Sequence, residues 1–394
     1  MRKINIVLTI LIVFTLMASL TGSAYAAPSA RAKWTVMVYI SGDNDLEYYV
    51  VPDIETELGA IGSTDNVQVV ALVDRIPGSD TTYNDWSTTK LFHITEGMTA
   101  ETKNQVADWG ERNMADPQTL IEFVKWAKST YPAEHYALYF WGHGWNWHPG
   151  YVMRDDTSNE DTLDLDELEA ALPSICFIDM VAYDGCNMAA IEVQTLWHGH
   201  ATALAHSEEY VYWEGVQYDQ VLERLSANTN MTADQLAVTT SQTATEDKTW
   251  SAVAVDSRFD VLLKAVNNLS VALMTGLPQN RNKYSQAFNA SQSFWNAQND
   301  KDLYDMAYEI NQVAADSNLK KTSQAVMQAV DAVVLHERHV SGPGYAGAHG
   351  ISIFYISKSS EKDAEYEYYR NTLEFAERTA WDEFLDAYAR QGNK

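Results

Sequence analysis

Two residues in this 394-residue chain have the types and settings to carry nucleophilic chemistry together. Cys186, in "MVAYDGCNMA", follows an apolar run and an Asp-Gly step, and is one of only two cysteines. His143, in "YALYFWGHGWNW", follows another such run. A thiol is mostly protonated at neutral pH, so a nucleophilic cysteine needs a base that takes its proton or stabilises the thiolate. Imidazole does this and can later protonate a leaving amine. Each residue alone has a plainer reading. A lone Gly-His-Gly is a weak signal, and a free cysteine is most often a small core hydrophobe. Placement just past two successive apolar runs favours a shared site.

The elements around them must then bring them together. "WTVMVYI" (34–40), "VQVVALV" (67–73), "TKLFHI", "HYALYFW" (135–141), "FIDMVAY" (177–183) and "ATALAHS" read as strands, most of them apolar on both faces. Helical segments alternate with them, including "DPQTLIEFVKWAKSTYP" (116–132), with Asp116 as N-cap and Pro117 at the first turn. Its Leu120, Phe123, Val124 and Ala127 share one face. "LDLDELEAALP" is opened by Asp164, and "AAIEVQTLWHG" is stopped by Gly199. This alternation predicts an α/β fold, a mostly parallel sheet with helices on both faces.

In such a sheet, functional groups collect on loops past the carboxyl ends of the strands. The 43 positions from His143 to Cys186 hold one crossover helix with its loops. Neighbouring strands lie about 4.8 Å apart, so thiol and imidazole would face one cleft. Cys186 also reads as the start of a helix, whose N–H groups favour thiolate. The N–H groups of Gly144 and Cys186 are candidates for an oxyanion hole. Asp184, two residues before the cysteine, would share its face in an extended segment; capping the next helix is its plainer reading.

Further along, the alternation weakens into long helical stretches, 215–247 and 257–276, with strand candidates at "WSAVAVD" (250–256) and "GISIFYIS" (350–357). The expected organisation is a signal peptide at 1–26, a catalytic domain at 33–256, and a mainly helical region at 257–394 with a strand near 350–357, packed against the first.

Charge and targeting bound the function. A formal charge of -27 argues against nucleic-acid binding, because phosphate repels such a surface. Arg2 and Lys3, the apolar run "INIVLTILIVFTLMASL" and the small-residue pattern "SAYA" make a secretory signal cut after Ala26; the rival is an uncleaved anchor. No later stretch reads as a membrane span, so the mature chain is expected to be exported and free of the membrane. In an oxidising compartment Cys176 and Cys186 could pair, but the extended segment between them spans more than about 20 Å, which no disulfide bridges. Cys186 is therefore expected to be a free thiol, and Cys176 a buried hydrophobe.

Taken together, "YALYFWGHGWNW", "RDDTSNEDTLDLDELEAAL", "MVAYDGCNMAAIEV" and "SEE" resemble the clostripain family of cysteine peptidases. "KWTVMVYISGDNDLE", "DKTWSAVAVD", "DLYDMAYEI" and "GISIFYIS" extend the likeness from Lys33 into the 350s. The resemblance implies the caspase-like fold shared with legumain and gingipain. It also implies a dyad of Cys186 and His143 needing no third member, and cleavage after arginine or lysine held by Asp184. Self-cleavage in the region after the histidine is a family trait, and Arg154 is the basic residue there. After "SEE" this chain reads "YVYWEG", where the family often has a Pro-Gly loop, so the pocket rim departs from the pattern.

Metals and rival functions complete the reading. His148, His198, His200 and His206 do not have zinc-site spacing. The acidic run "RDDTSNEDTLDLDE" is dense in oxygen ligands and makes calcium a possible cofactor, although it lacks the glycine and spacing of an EF-hand loop. A solvated acidic loop is the alternative. One rival function keeps the dyad with a different pocket. Another is a secreted peptide- or carbohydrate-binding protein on a degenerate scaffold, with Trp141, Trp145 and Trp147 as its platform.

Overall fold

The structure is a computed structural model that describes residues 31–148, 152–245, 248–294, 299–358 and 361–391. The signal peptide expected at 1–26 lies outside them. From Ala32 onward the described residues gather into one compact unit. Its centre is a nine-stranded sheet. In chain order its strands are β1 (Ala32–Gly42), β2 (Val67–Arg75), β3 (Lys90–His93), β4 (Gln105–Asp108), β5 (Ala133–Trp141), β6 (Ile178–Asp184), β7 (Ala201–His206) and β8 (Thr249–Ala254). A short β9 (Asp300–Asp302) lies outside it, β10 (Val334–His339) completes it, and β11 (Ser352–Phe354) pairs with β9 in a separate two-stranded ribbon.

The spatial order is β10-β8-β7-β6-β5-β1-β2-β3-β4. The five central strands run parallel, from β7 through β6, β5 and β1 to β2. Both flanks are antiparallel. From β1 the chain steps outward to β2 and later returns on the other side to β5, so the order reverses between β1 and β5. Such a reversal opens a crevice at the carboxyl ends of the strands.

Period-two alternation assigns the side chains to two layers. Tyr39, Leu72, Leu138, Phe140, Val181 and Leu204 point into one core, packed by helices Pro117–Thr130, Leu165–Ile175, Ile191–Trp197 and Ser257–Ala290. Val38, Ile40, Ala71, Val73, Tyr139 and Ala182 point into the other, covered by the helical stretch from Glu47 to Ile61 and by helices Tyr218–Ala227 and Ala233–Thr243. The expected sheet covered on both faces is present. Asp116 caps its helix as read, its carboxylate accepting from the Gln118 N–H at 2.8 Å.

Several local expectations need correction. Helix Ser257–Ala290 runs 14 residues past the predicted end. By length and composition it is apolar enough to cross a membrane, against the expectation that no such stretch follows the leader, but half of its apolar window is buried inside the protein. "GISIFYIS" forms only the three residues of β11. β10, "VLHERH", was hidden because its six residues are half-buried at a sheet edge, so no apolar alternation marks it. Cys176 is exposed rather than buried: it ends the Leu165–Ile175 helix with a φ of 64°. Neither cysteine is disulfide-bonded.

Candidate active site

β5 and β6 are hydrogen-bonded neighbours with Trp141 opposite Asp184. His143 and Cys186 therefore each stand two residues beyond the end of a paired strand. Gly142 N–H still donates to the Asp184 carbonyl (3.2 Å), carrying the contact past the last paired residues. The two loops touch because they contain glycine. A Cβ on Gly185 would lie 2.9 Å from the Gly142 carbonyl oxygen, and one on Gly144 would lie 2.8 Å from that of Cys186.

The segment after the cysteine is fastened to the end of β7. Asn187 N–H donates to the Glu209 carbonyl (3.0 Å), the Asn187 side-chain amide to the Glu208 carbonyl (2.8 Å), and Ala189 N–H to the Ser207 carbonyl (2.9 Å). Asn187 holds a left-handed φ of 58°, a conformation asparagine tolerates. The helix that was expected to begin at Cys186 begins at Ile191, with Ala190 as its N-cap. Cys186 thus sits in a turn, more than a helical turn from the effective end of that dipole. Its sulfur is met instead by the Val211 N–H, 3.4 Å away.

His143 has an acidic neighbour that the sequence reading missed. Its Nε2 lies 2.7 Å from Asp45 Oδ1. Partial burial alone would raise the Asp45 carboxyl, but the hydrogen bond and charge of His143 outweigh it and hold the group below its usual range. Asp45 lies in "SGDNDLE", just past β1. A carboxylate directly after a strand that borders the reversal point was the signal available.

His143, Gly144, Asp184 and Cys186 all line one cleft of about 350 Å³, together with Asp45 and Arg154. Tyr210, Tyr212 and Trp213, from the loop after "SEE", form an aromatic wall. Trp213 stacks on Tyr49 with ring centres 5.9 Å apart. Trp141 and Trp145 also line the cleft, whereas Trp147 is core, packed against Phe354 and Tyr369.

The floor is acidic. Asp184 ends β6 and does not cap a helix; it accepts hydrogen bonds from the Val216 N–H and the Tyr218 hydroxyl, both 3.1 Å. Asp53 lies behind it, accepting from Trp141 Nε1 at 2.6 Å. Glu57 accepts from the Tyr218 N–H at 3.0 Å. Burial, then Glu57 and Asp184, push the Asp53 carboxyl well above its usual range. Burial, reinforced by Asp184 and Asp219 against the Tyr218 N–H, pushes Glu57 up to about 7.

Arg154 pairs with Asp156 (2.5 Å), and its carbonyl is held by Asn44 Nδ2 (2.8 Å) and Ser41 Oγ (3.0 Å). The next residue, Asp155, is fully buried beside Asp43 and Asp74. Among the described residues this aspartate trio is the one group of three or more candidate metal ligands found; His148, His198, His200 and His206 join no such group. His206 is buried against Gln194 and Ser251, and burial lowers its pKa to about 3, so it stays neutral.

The clostripain family profile matches residues 38–388. Clostripain of Hathewaya histolytica is 28% identical over 225 residues, covering 50% of this chain and 42% of that protein; the chain thus spans less than half the length of that relative. Two solved structures share the fold. A secreted C11 cysteine protease from Bacteroides thetaiotaomicron, in complex with an irreversible peptide inhibitor, superposes with a TM-score of 0.69 at 18% identity, covering 89% of this chain and 100% of the other. An inactive zymogen C11 protease from Parabacteroides distasonis gives 0.65 at 19%, covering 89% and 98%. With a profile match running from β1 to the last helix, over the strand ends that carry His143 and Cys186, this chain belongs to the clostripain family.

Proposed function

We propose that the chain is an exported cysteine endopeptidase that cleaves peptide bonds after arginine or lysine. The observation that carries this reading is the shared cleft: His143 and Cys186 leave adjacent parallel strands and open on one cavity with Asp184. In this reading His143 takes the Cys186 proton and the thiolate attacks the substrate carbonyl carbon. The N–H groups of Gly144 and Cys186 receive the developing oxyanion. Collapse of that adduct breaks the C–N bond, and the imidazolium returns its proton to the leaving amine. Water, deprotonated by the same imidazole, then hydrolyses the thioester and restores the thiol.

Two further groups act on this pair. The Val211 N–H, directed at the sulfur, favours thiolate over thiol. Asp45 serves as a positioning residue that orients the imidazole. The arrangement is then a dyad with an exposed third partner, rather than a dyad alone.

Substrate choice follows from the floor. Asp184 offers a carboxylate that a guanidinium or ammonium can reach, with Glu57 behind it adding negative charge as it ionises near pH 7. Export is supported by the leader-like residues 1–26 and by the Bacteroides relative, which is described as secreted. Self-cleavage after Arg154 would first require release of its carbonyl from Asn44 and Ser41.

Short reporter peptides ending in Arg, Lys, Asn or Asp test the proposal. Turnover of the Arg and Lys peptides, abolished in Cys186→Ala, is expected, together with labelling of Cys186 by a basic-residue electrophile. Silence toward all four, with retained peptide or carbohydrate binding, would instead support a degenerate scaffold.

A further inference from the structure

Building on the endopeptidase reading of the cleft, we infer that Tyr212 and Trp213 form a second specificity site beside the basic pocket. It takes an aromatic or large aliphatic side chain from the substrate residue just before the arginine or lysine. Both rings belong to the segment after "SEE", where this chain departs from its family's pattern.

That segment runs from the sulfur to the floor of the cleft. Val211 N–H meets Cys186 Sγ at one end, and Val216 N–H donates to Asp184 at the other. Between them the Tyr212 carbonyl accepts from the Gly215 N–H (3.0 Å), closing a turn with Trp213 at its tip. Gly215 has a φ of 34°, and a Cβ there would fall 2.0 Å from Asp184 Oδ1. The turn therefore lies directly against the carboxylate assigned to the basic side chain. The Thr245 N–H fastens it from outside, donating to the Gly215 carbonyl at 3.0 Å.

The rings are held and yet open. Trp213 stacks on Tyr49, Tyr212 meets Trp213 edge-on at 5.9 Å, and Tyr210 meets Tyr212 edge-on at 4.9 Å. Even so, Trp213 is 56% exposed and Tyr212 40%. Large rings left open at the mouth of a cleft gain by being covered. Because their neighbours already restrain them, little side-chain freedom is lost when they are.

The direction of the substrate selects which residue covers them. His143 follows β5, Cys186 follows β6, and Tyr212 follows β7, three adjacent strands in that order. The leaving amine takes its proton from His143, so the chain after the scissile bond lies on the β5 side. The chain before it lies on the β7 side, against this loop. Successive side chains of an extended peptide point to opposite faces. With the basic side chain directed down to Asp184, the one before it turns up to the aromatic rim.

Charge narrows the choice further. Lys248 Nζ already lies over the Tyr210 ring at 4.1 Å and the Tyr212 ring at 5.4 Å, so a second cation there would be repelled. Aromatic faces carry negative potential, which disfavours a carboxylate. An apolar side chain, best a flat one, suits the rim.

Arginyl reporters that differ only in the preceding residue, Phe, Leu, Gly, Lys or Asp, test the site on the full chain. Phe and Leu are expected to exceed Gly in kcat/KM by at least about tenfold, the scale of a partly filled apolar pocket. Lys and Asp should do no better than Gly. Trp213→Ala and Tyr212→Ala should each bring the Phe-to-Gly ratio toward one, while Tyr212→Phe keeps it. A ratio measured on one sample does not depend on how much of that sample is folded. Equal rates for Phe and Gly in the parent, a preference for Lys or Asp, or an undiminished ratio in both alanine variants would overturn the site. Silence toward every arginyl reporter would instead overturn the endopeptidase reading itself, and the subsite with it.

Discussion

His143 Nε2 and Asp45 Oδ1 stand 2.7 Å apart, joining the end of β5 to the segment just past β1. The Asp45 side chain remains largely exposed, so water screens the pair. Asp45→Asn is therefore expected to lower kcat by no more than about fivefold, with KM nearly unchanged, in line with the modest worth of exposed ion pairs. His143→Ala should lose at least about a thousandfold, since the proton carrier itself is gone. Steady-state kinetics on an arginyl reporter separates the two.

Glycine at 144 and 185 is a requirement of contact rather than of φ. Gly144→Ala brings a methyl group to 2.8 Å from the Cys186 carbonyl oxygen and 2.9 Å from Met188 Sδ. The loops must part. A shift of about 1 Å there should reduce kcat/KM by on the order of a hundredfold, while stability falls by about 1–3 kcal/mol. Kinetics paired with denaturant melts checks whether activity is lost well beyond folding.

Glu57 should give the protein a pH-dependent grip on basic substrates. Its carboxyl titrates near 7 in the free protein, and an entering guanidinium would pull that value down. Affinity for an arginyl inhibitor is expected to rise as pH climbs toward and through 7, then level off. Glu57→Gln should flatten the profile. Competition assays across pH 5.5 to about 8 would show it; an unchanged slope in the variant would remove Glu57 from the argument.

Glu192 makes a matching prediction for stability. It is buried, accepting from the Phe354 N–H and the Tyr369 hydroxyl, and burial followed by Asp300 pushes its carboxyl up to about 8 from 4.5. A raised carboxyl favours the folded state fully below 4.5 and loses that contribution as pH rises through about 8. Glu192→Gln should thus be near neutral in its effect at acid pH and stabilising at pH above about 8, by up to on the order of 3 kcal/mol. Thermal melts at the two extremes decide the sign.

Much of this architecture was legible because it depends on local pattern. Continuous apolar runs such as 135–141 and 177–183 read as strands largely buried on both faces, and the helices between them favour parallel pairing. That logic places His143 and Cys186 past two strand ends; that those strands are neighbours comes from the sheet order. It could not find β10, whose half-buried edge position imposes no apolar period. Nor could it date the start of the helix after Cys186, because a turn stabilised by Glu208 and Glu209 intervenes.

By itself the order of residues determined the parallel sheet and singled out Cys186 and His143 as the proposed nucleophile and base, since strand periodicity and reactive side-chain type are properties of short segments. Tertiary structure alone decided that Asp45 meets His143, that Val211 meets the thiol, and that Asp43, Asp74 and Asp155 share one buried point. Those partners are separated by 25 to 98 positions in the hydrogen-bonded cases, and only the closing of the sheet brings such distant groups within bonding range.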